Sequence, residues 1–242
     1  MNKYVVVTGG TSGVGLSIVK DLLKYKFKII IIGKNVEKGK YIQKQLGENV
    51  IFVSGDLSNE KQVKNISFKI KSITNNIYAL ILSHGIFPNN AIENINNNLL
   101  SHYLLSKELK SVLHKNKILI VTGSPNAIIS LPICENQNNT IECLSWELTH
   151  KTMLMIYLSN IFEKYEITVN SFYPGDVKSN LMPYTQSLPK RDVNVASTLI
   201  LENEYKNKTG NFYNNDCSKV KLNGKYNFDN AVKIMEYYTS KK

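Results

Sequence analysis

Apolar and polar positions along this chain alternate on a regular schedule: a short unbroken apolar run, a polar or glycine-rich break, then a longer stretch at helical spacing. Tyr4-Val-Val-Val-Thr8 is the first apolar run; Leu16-Ser-Ile-Val resumes at helical spacing, and that helix is expected to end near Tyr25. Lys28 to Ile32 is apolar almost without interruption, as in strands that a parallel sheet buries on both faces. Val50 to Ser54, Tyr78 to Leu82 and Lys117 to Val121 repeat the pattern, and a later strand is expected from Ile167. Between them lie helical stretches, with long ones over Asn94 to His114 and Ile141 to Lys164, and a terminal helix from Phe228. This order predicts an α/β protein, a doubly wound parallel sheet of about seven strands with helices on both faces and ligands at the strands' carboxyl ends. At 242 residues the chain can bury a full core as a single domain, and no repeat or Pro/Gly/Ser-rich linker divides it.

The first break is the most informative. Thr8-Gly9-Gly10-Thr-Ser-Gly13-Val14-Gly15 joins the first strand to the first helix. Gly9 allows the sharp turn, Gly13 lets backbone approach a pyrophosphate, and Gly15 lets the helix pack close to the sheet with its N-terminus aimed at the phosphates. A dinucleotide is the natural ligand of such a Rossmann-type arrangement. The second strand ends in Gly33-Lys34-Asn35, where a carboxylate would suit the ribose hydroxyls of NAD and a cation the 2′-phosphate of NADP. Lys34 therefore argues for NADP(H).

TGGTSGVG resembles the opening motif of the short-chain dehydrogenase/reductase family, and the resemblance extends over nearly the whole chain. On it, Asp56-Leu57 after the third strand caps the adenine pocket, with helix N-capping as the alternative role of Asp56. Gly85 is what survives of the family's Asn-Asn-Ala-Gly across Leu82 to Gly85. Asn98-Leu-Leu-Ser-His102-Tyr103-Leu-Leu-Ser is similar to a run in retinol-dehydrogenase-like members, which gives Asn98 the role of the helix-bending Asn of the proton relay. Pro174-Gly175-Asp-Val177-Lys-Ser179 resembles the loop against the nicotinamide. Gly210-Asn-Phe-Tyr213 and Cys217-Ser-Lys219 resemble the tail of the same branch.

The family's catalysts are a Tyr that gives a proton, a Lys four residues later and a Ser that holds the substrate oxygen. Residues i and i+4 share a helix face, so phenol and ammonium converge on one point. If Lys151 is the family lysine, the tyrosine position is Glu147; if the helix is counted back from Pro174 without a gap, the pair falls on Leu144 and Leu148. The serine position falls on Gly123, with Thr122 or Ser124 able to supply a hydroxyl if the loop shifts. Tyr103 and Lys107 fit the motif's spacing but precede the fifth strand. Pro125 to Thr140, longer than usual, reads as a mobile flap beside the pocket.

Two functions follow. One is an atypical NADP(H)-dependent oxidoreductase acting on a small-molecule or peptide carbonyl, with Lys151 on the ribose and Glu147 as proton donor. The other is an NADP(H)-binding protein without hydride chemistry. Charge adds little: the net +11 comes from scattered lysines with Arg191 the sole arginine, a pattern that does not point to nucleic acid. Cys134, Cys143 and Cys217 form no CxxC pair or disulfide framework, and no apolar stretch approaches a membrane span, so a cytoplasmic protein without bound metal is expected. The family resemblance leaves room for a homodimer through the two long helices.

Overall fold

The computed structural model describes residues 3–240, with all side chains among them except that of residue 183. Six strands, all but the last rich in Val, Ile and Leu, form a parallel array: β1 (Tyr4–Thr8), β2 (Lys28–Gly33), β3 (Val50–Ser54), β4 (Ile77–Leu82), β5 (Lys117–Val121) and β6 (Thr168–Phe172). Two short strands, β7 (Phe212–Tyr213) and β8 (Lys219–Val220), extend it to eight in the order β3-β2-β1-β4-β5-β6-β7-β8, with β8 antiparallel to β7. The reversal of strand order beside β1 puts a crevice at the carboxyl ends of β1 and β4, the switch point where such sheets take ligands.

Side-chain alternation along these strands feeds two cores. Ile30, Ile32, Leu80, Leu82, Ile118 and Ile120 face one side, under α3 (Glu60–Ile73), α5 (Ser101–Leu109) and α7 (Thr140–Ile161). Val5, Val7, Ile29, Ile31, Ala79 and Ile81 face the other, under α1 (Gly13–Leu23), α2 (Val36–Leu46) and α9 (Val195–Leu201). That both sets are buried explains why the strands read as continuous apolar runs.

The stretch Asn94 to His114 is not one α-helix. A short α4 (Ala91–Asn94) passes into a π-helical segment, Ile95–Leu100, before α5, and a 3₁₀ turn at Lys110–Val112 closes it. The Asn94 and Asn98 side chains, both fully buried, hydrogen-bond each other here at 2.8 Å. In the expected flap, α6 (Pro125–Ser130) occupies the start, and Gln137 Oε1 accepts from Asn94 Nδ2 at 2.7 Å.

Helix α7 is buried along most of its length, and α10 (Phe228–Thr239) covers part of its outer face. Trp146 Nε1 donates to the Tyr238 hydroxyl at 3.0 Å, the Trp146 and His150 rings stack at 4.1 Å, and Ala231 and Met235 are buried. Burial holds the His150 imidazole neutral, pushed down to about 4. Among the described residues no helix is long and apolar enough to cross a membrane.

Candidate functional site

At the carboxyl end of β1 the loop depends on backbone that L side chains resist: Gly9 and Gly13 have φ of +66° and +52°. A Cβ on Gly15 would lie 2.5 Å from the Gly9 carbonyl oxygen, so the first turn of α1 rests directly on the loop. Val14 sits in that turn between them. Thr8 Oγ1 accepts from the Ser83 and His84 amides at 2.9 and 2.8 Å, which stitches β1 to the end of β4. The caps reveal what the loop leaves free. Asn35, Asn59, Asn139 and Asn227 accept from first-turn amides of α2, α3, α7 and α10, whereas Ser12 makes no side-chain cap on α1 and the first turn of α1 carries no acid. The amides at that N-terminus take no side-chain cap and are free to meet an anion.

Lys34 and Asp56 meet where β2 and β3 end side by side, with Nζ 2.6 Å from Oδ2. Asp56 Oδ1 accepts from the Ser58 amide and hydroxyl at 3.0 and 2.7 Å. Partial burial pushes the Asp56 carboxyl up, but the hydrogen bonds from Lys34 and Ser58 outweigh it and hold the group below its usual range. Asp56 does not cap a helix, because α3 begins at Glu60 behind its own cap, Asn59. Leu57 is buried in the core.

A second cluster surrounds Gly85, just past β4. A Cβ there would lie 3.3 Å from Asn98 Oδ1, 3.4 Å from Lys151 Nζ and 3.9 Å from Glu147 Oε1. Asn98 accepts from the Ile86 amide and donates to the Ile86 carbonyl, both at 3.0 Å, so the π-helical segment pins the turn that carries Gly85. Lys151 Nζ donates to Glu147 Oε1 at 2.7 Å, and the two side chains are 6% and 9% exposed. One turn of α7 sets this geometry.

Of the residues named by the two registers, Lys151 and Glu147 lie beside Gly85. Leu148 instead faces Gly123, where a Cβ would lie 2.4 Å from Leu148 Cδ2, so the leucine fills the space beside the expected serine position. Ser124 is not brought to the cluster as a free hydroxyl: it caps α6, accepting from the Ala127 amide at 3.4 Å. Tyr103 packs on Tyr157, with ring centroids 6.3 Å apart.

The loop after β6, which carries the short helix α8 (Pro183–Gln186), lies over the glycine loop. Gly175 has φ of +83° and packs on Asn215, Val177 is buried, and a Cβ on Gly13 would lie 3.0 Å from Ser179 Cβ. Pro174 follows Tyr173, whose hydroxyl donates to Asp176 Oδ1 at 2.6 Å; burial and that contact push the phenol up. Ser17 straps the loop to α1, donating to the Arg191 carbonyl at 2.9 Å and accepting from the Val193 amide at 3.1 Å. Sequence reasoning missed Ser17 and Asn94; only Asn94, four residues before Asn98, carried a local signal. His84 and His102 lie behind the cluster, both pushed down by burial, with a hydrogen bond from the His102 ring to the His84 carbonyl at 2.8 Å. No group of His, Cys, Asp and Glu able to hold a metal occurs among the described residues.

A doubly wound sheet with an uncapped helix behind a glycine loop, and a polar cluster across the switch point, has the architecture of the Rossmann-type α/β proteins. Residues 3–125, just over half of the chain, match the family described as short chain dehydrogenase, and the chain belongs to that oxidoreductase family. It is 25% identical to human polyprenol dehydrogenase over 209 residues, which cover 74% of this chain and 62% of that one. It is 26% identical to the 3-oxoacyl-[acyl-carrier-protein] reductase FabG of Rickettsia prowazekii over 200 residues, 74% of each chain. Among solved structures, a 3-ketoacyl-(acyl-carrier-protein) reductase from Brucella melitensis complexed with NADH superposes with a TM-score of 0.72 at 18% identity, over 88% of this chain and 96% of that one. A short chain dehydrogenase from Burkholderia cenocepacia in complex with NADP gives 0.72 at 15% identity, over 88% and 95%.

Proposed function

We propose that the chain is an atypical NADP(H)-dependent oxidoreductase of the retinol-dehydrogenase-like branch, acting on a small-molecule or peptide carbonyl or the matching alcohol. The observation that carries this reading is the convergence of Asn98, Glu147 and Lys151 on Gly85, at the carboxyl end of β4. Bound NADP(H) would supply or accept the hydride. The amides of Gly13, Val14 and Gly15 would hold the pyrophosphate, Lys34 the 2′-phosphate, Asp56 the adenine amine, and Lys151 the nicotinamide ribose. Thr8, Gly9 and Leu57 shape the adenosine side of the crevice; Pro174, Gly175, Val177 and Ser179 close over the other end. Glu147 takes the family tyrosine's place on the helix face and holds or yields the proton, with Lys151 setting its charge balance and Asn98 fixing the turn that carries Gly85. The chain works as a single cytoplasmic domain; a homodimer through the long helices would rest on α5, because α7 is buried along most of its length.

NADPH oxidation against a panel of aldehydes and ketones tests this. Turnover should collapse in Glu147→Gln while calorimetric NADPH binding persists, and Lys151→Met should weaken binding. Activity indifferent to both changes refutes the assignment.

The direct salt bridge favours a second reading. Glu147 and Lys151 satisfy each other at 2.7 Å, and Leu148 fills the space beside Gly123, as suits a dinucleotide-binding protein without hydride transfer. Tight NADPH binding without turnover on any of the carbonyls would select it.

A further inference from the structure

The two residues assigned to the adenosine end are bonded to each other. Strands β2 and β3 run in register to Gly33 and Ser54, so Lys34 and Asp56 leave the sheet side by side and close to 2.6 Å. The partners differ in freedom. Asp56 is held in place: its side chain is 19% exposed, its carboxylate accepts from Ser58 twice, and its amide donates to Gln62 Oε1 at 2.8 Å. Lys34 is 77% exposed at the end of a flexible four-carbon stem, so the ammonium is the mobile partner.

We propose that Asp56 is an internal counter-ion that competes with the 2′-phosphate of NADP(H) for Lys34 and thereby moderates the preference for NADP(H) over NAD(H). The inference rests on the reading of Lys34 and Asp56 as adenosine-end residues. A phosphate monoester carries a charge of about −1.5 to −2 at pH 7, more than one carboxylate, so it draws the ammonium away but has to break the existing pair to do so. NAD(H), with a hydroxyl in that position, leaves the pair intact. The preference that Lys34 confers is therefore smaller than an unpaired lysine would give, by the strength of one exposed ion pair, about 1.5- to 5-fold in affinity.

The test is calorimetric titration of the whole chain with NADPH and with NADH, in wild type, Asp56→Asn, Lys34→Gln and the double variant. Asp56→Asn removes the charge and keeps an oxygen able to accept from Ser58 and from an adenine amine. The NADPH-to-NADH affinity ratio should rise about two- to fivefold in Asp56→Asn, fall toward one in Lys34→Gln, and not respond to Asp56→Asn once Lys34 is gone. An unchanged or lower ratio in Asp56→Asn overturns the inference, as does a rise that persists without Lys34. If Asp56→Asn does not fold, Asp56→Ser is read by the same ratio. Wild type that binds neither dinucleotide defeats the functional reading and this inference with it, whereas normal binding with an unaltered ratio defeats the inference alone.

Discussion

Removing one charge from the Glu147–Lys151 bridge should cost far more than removing both. The side chains are 9% and 6% exposed, so each ion has given up most of its hydration and recovers it through the 2.7 Å contact with the other. Lys151→Met leaves the Glu147 carboxylate buried without its partner, a change that typically costs about 3–5 kcal/mol. Glu147→Gln leaves the ammonium buried with only a neutral amide oxygen to accept from it, and should cost about 3 kcal/mol, the low end of that range. In the double variant no charge is buried, and stability should return to within about 1–2 kcal/mol of wild type. Trp146, the only tryptophan of the chain, is fully buried on α7 next to Glu147, so its fluorescence reports urea unfolding at the right place. The four unfolding curves form a double-mutant cycle whose coupling energy should exceed about 2 kcal/mol. Additive single effects, or a cost below about 1 kcal/mol for Lys151→Met, would show that the pair is neither dry nor closed. Because a domain holds only about 5–15 kcal/mol in total, activity of Lys151→Met is meaningful only where that variant is still folded.

Three further outcomes follow from single contacts. Gly15→Ala places a Cβ 2.5 Å from the Gly9 carbonyl oxygen, so α1 must lift off the loop; dinucleotide binding should be lost and stability should fall by about 1–3 kcal/mol, read by calorimetry and thermal unfolding. Asn98→Ala strands the Ile86 amide and carbonyl and should cost about 2–3 kcal/mol in urea unfolding, with weaker NADPH binding. Lys117, whose ammonium donates to the Leu199 and Tyr205 carbonyls, is pushed down from its usual 10.5 to about 8 by burial and the nearby Lys206. Between pH 8 and 10.5 the unfolded chain therefore binds more protons than the folded one, and wild type should gain up to about 3 kcal/mol relative to Lys117→Met across that interval, the gain being absent below pH 8.

β1, β2, β4 and β5 were legible because each is an apolar run buried almost throughout, and the glycine loop was legible because its conformation can be met by few residue types. The π-helical segment was not: over six residues its periodicity is close to that of an α-helix, and what distinguishes it is the buried pairing of Asn94 with Asn98 and of Asn98 with Ile86. Strands of two residues, β7 and β8, are too short to leave a pattern of their own. Spacing and resemblance put Lys151 and Asn98 forward, and the fold brings both beside Gly85, but the register of α7 stayed open because the irregular stretch before it breaks the count. Leu148 packs against Gly123, a contact between elements that no local pattern encodes. The Lys34–Asp56 pair is likewise a product of the parallel register of β2 and β3.

The central claim is that this chain holds a nicotinamide dinucleotide with Glu147 and Lys151 at its reacting end, and a crystal structure of the NADP⁺ complex tests it most directly. The account predicts the pyrophosphate on the amides of Gly13, Val14 and Gly15, the 2′-phosphate at Lys34, Lys151 on the nicotinamide ribose, and Glu147 as the carboxyl nearest nicotinamide C4. A dinucleotide bound elsewhere, or Leu148 in place of Glu147 beside C4, would contradict it.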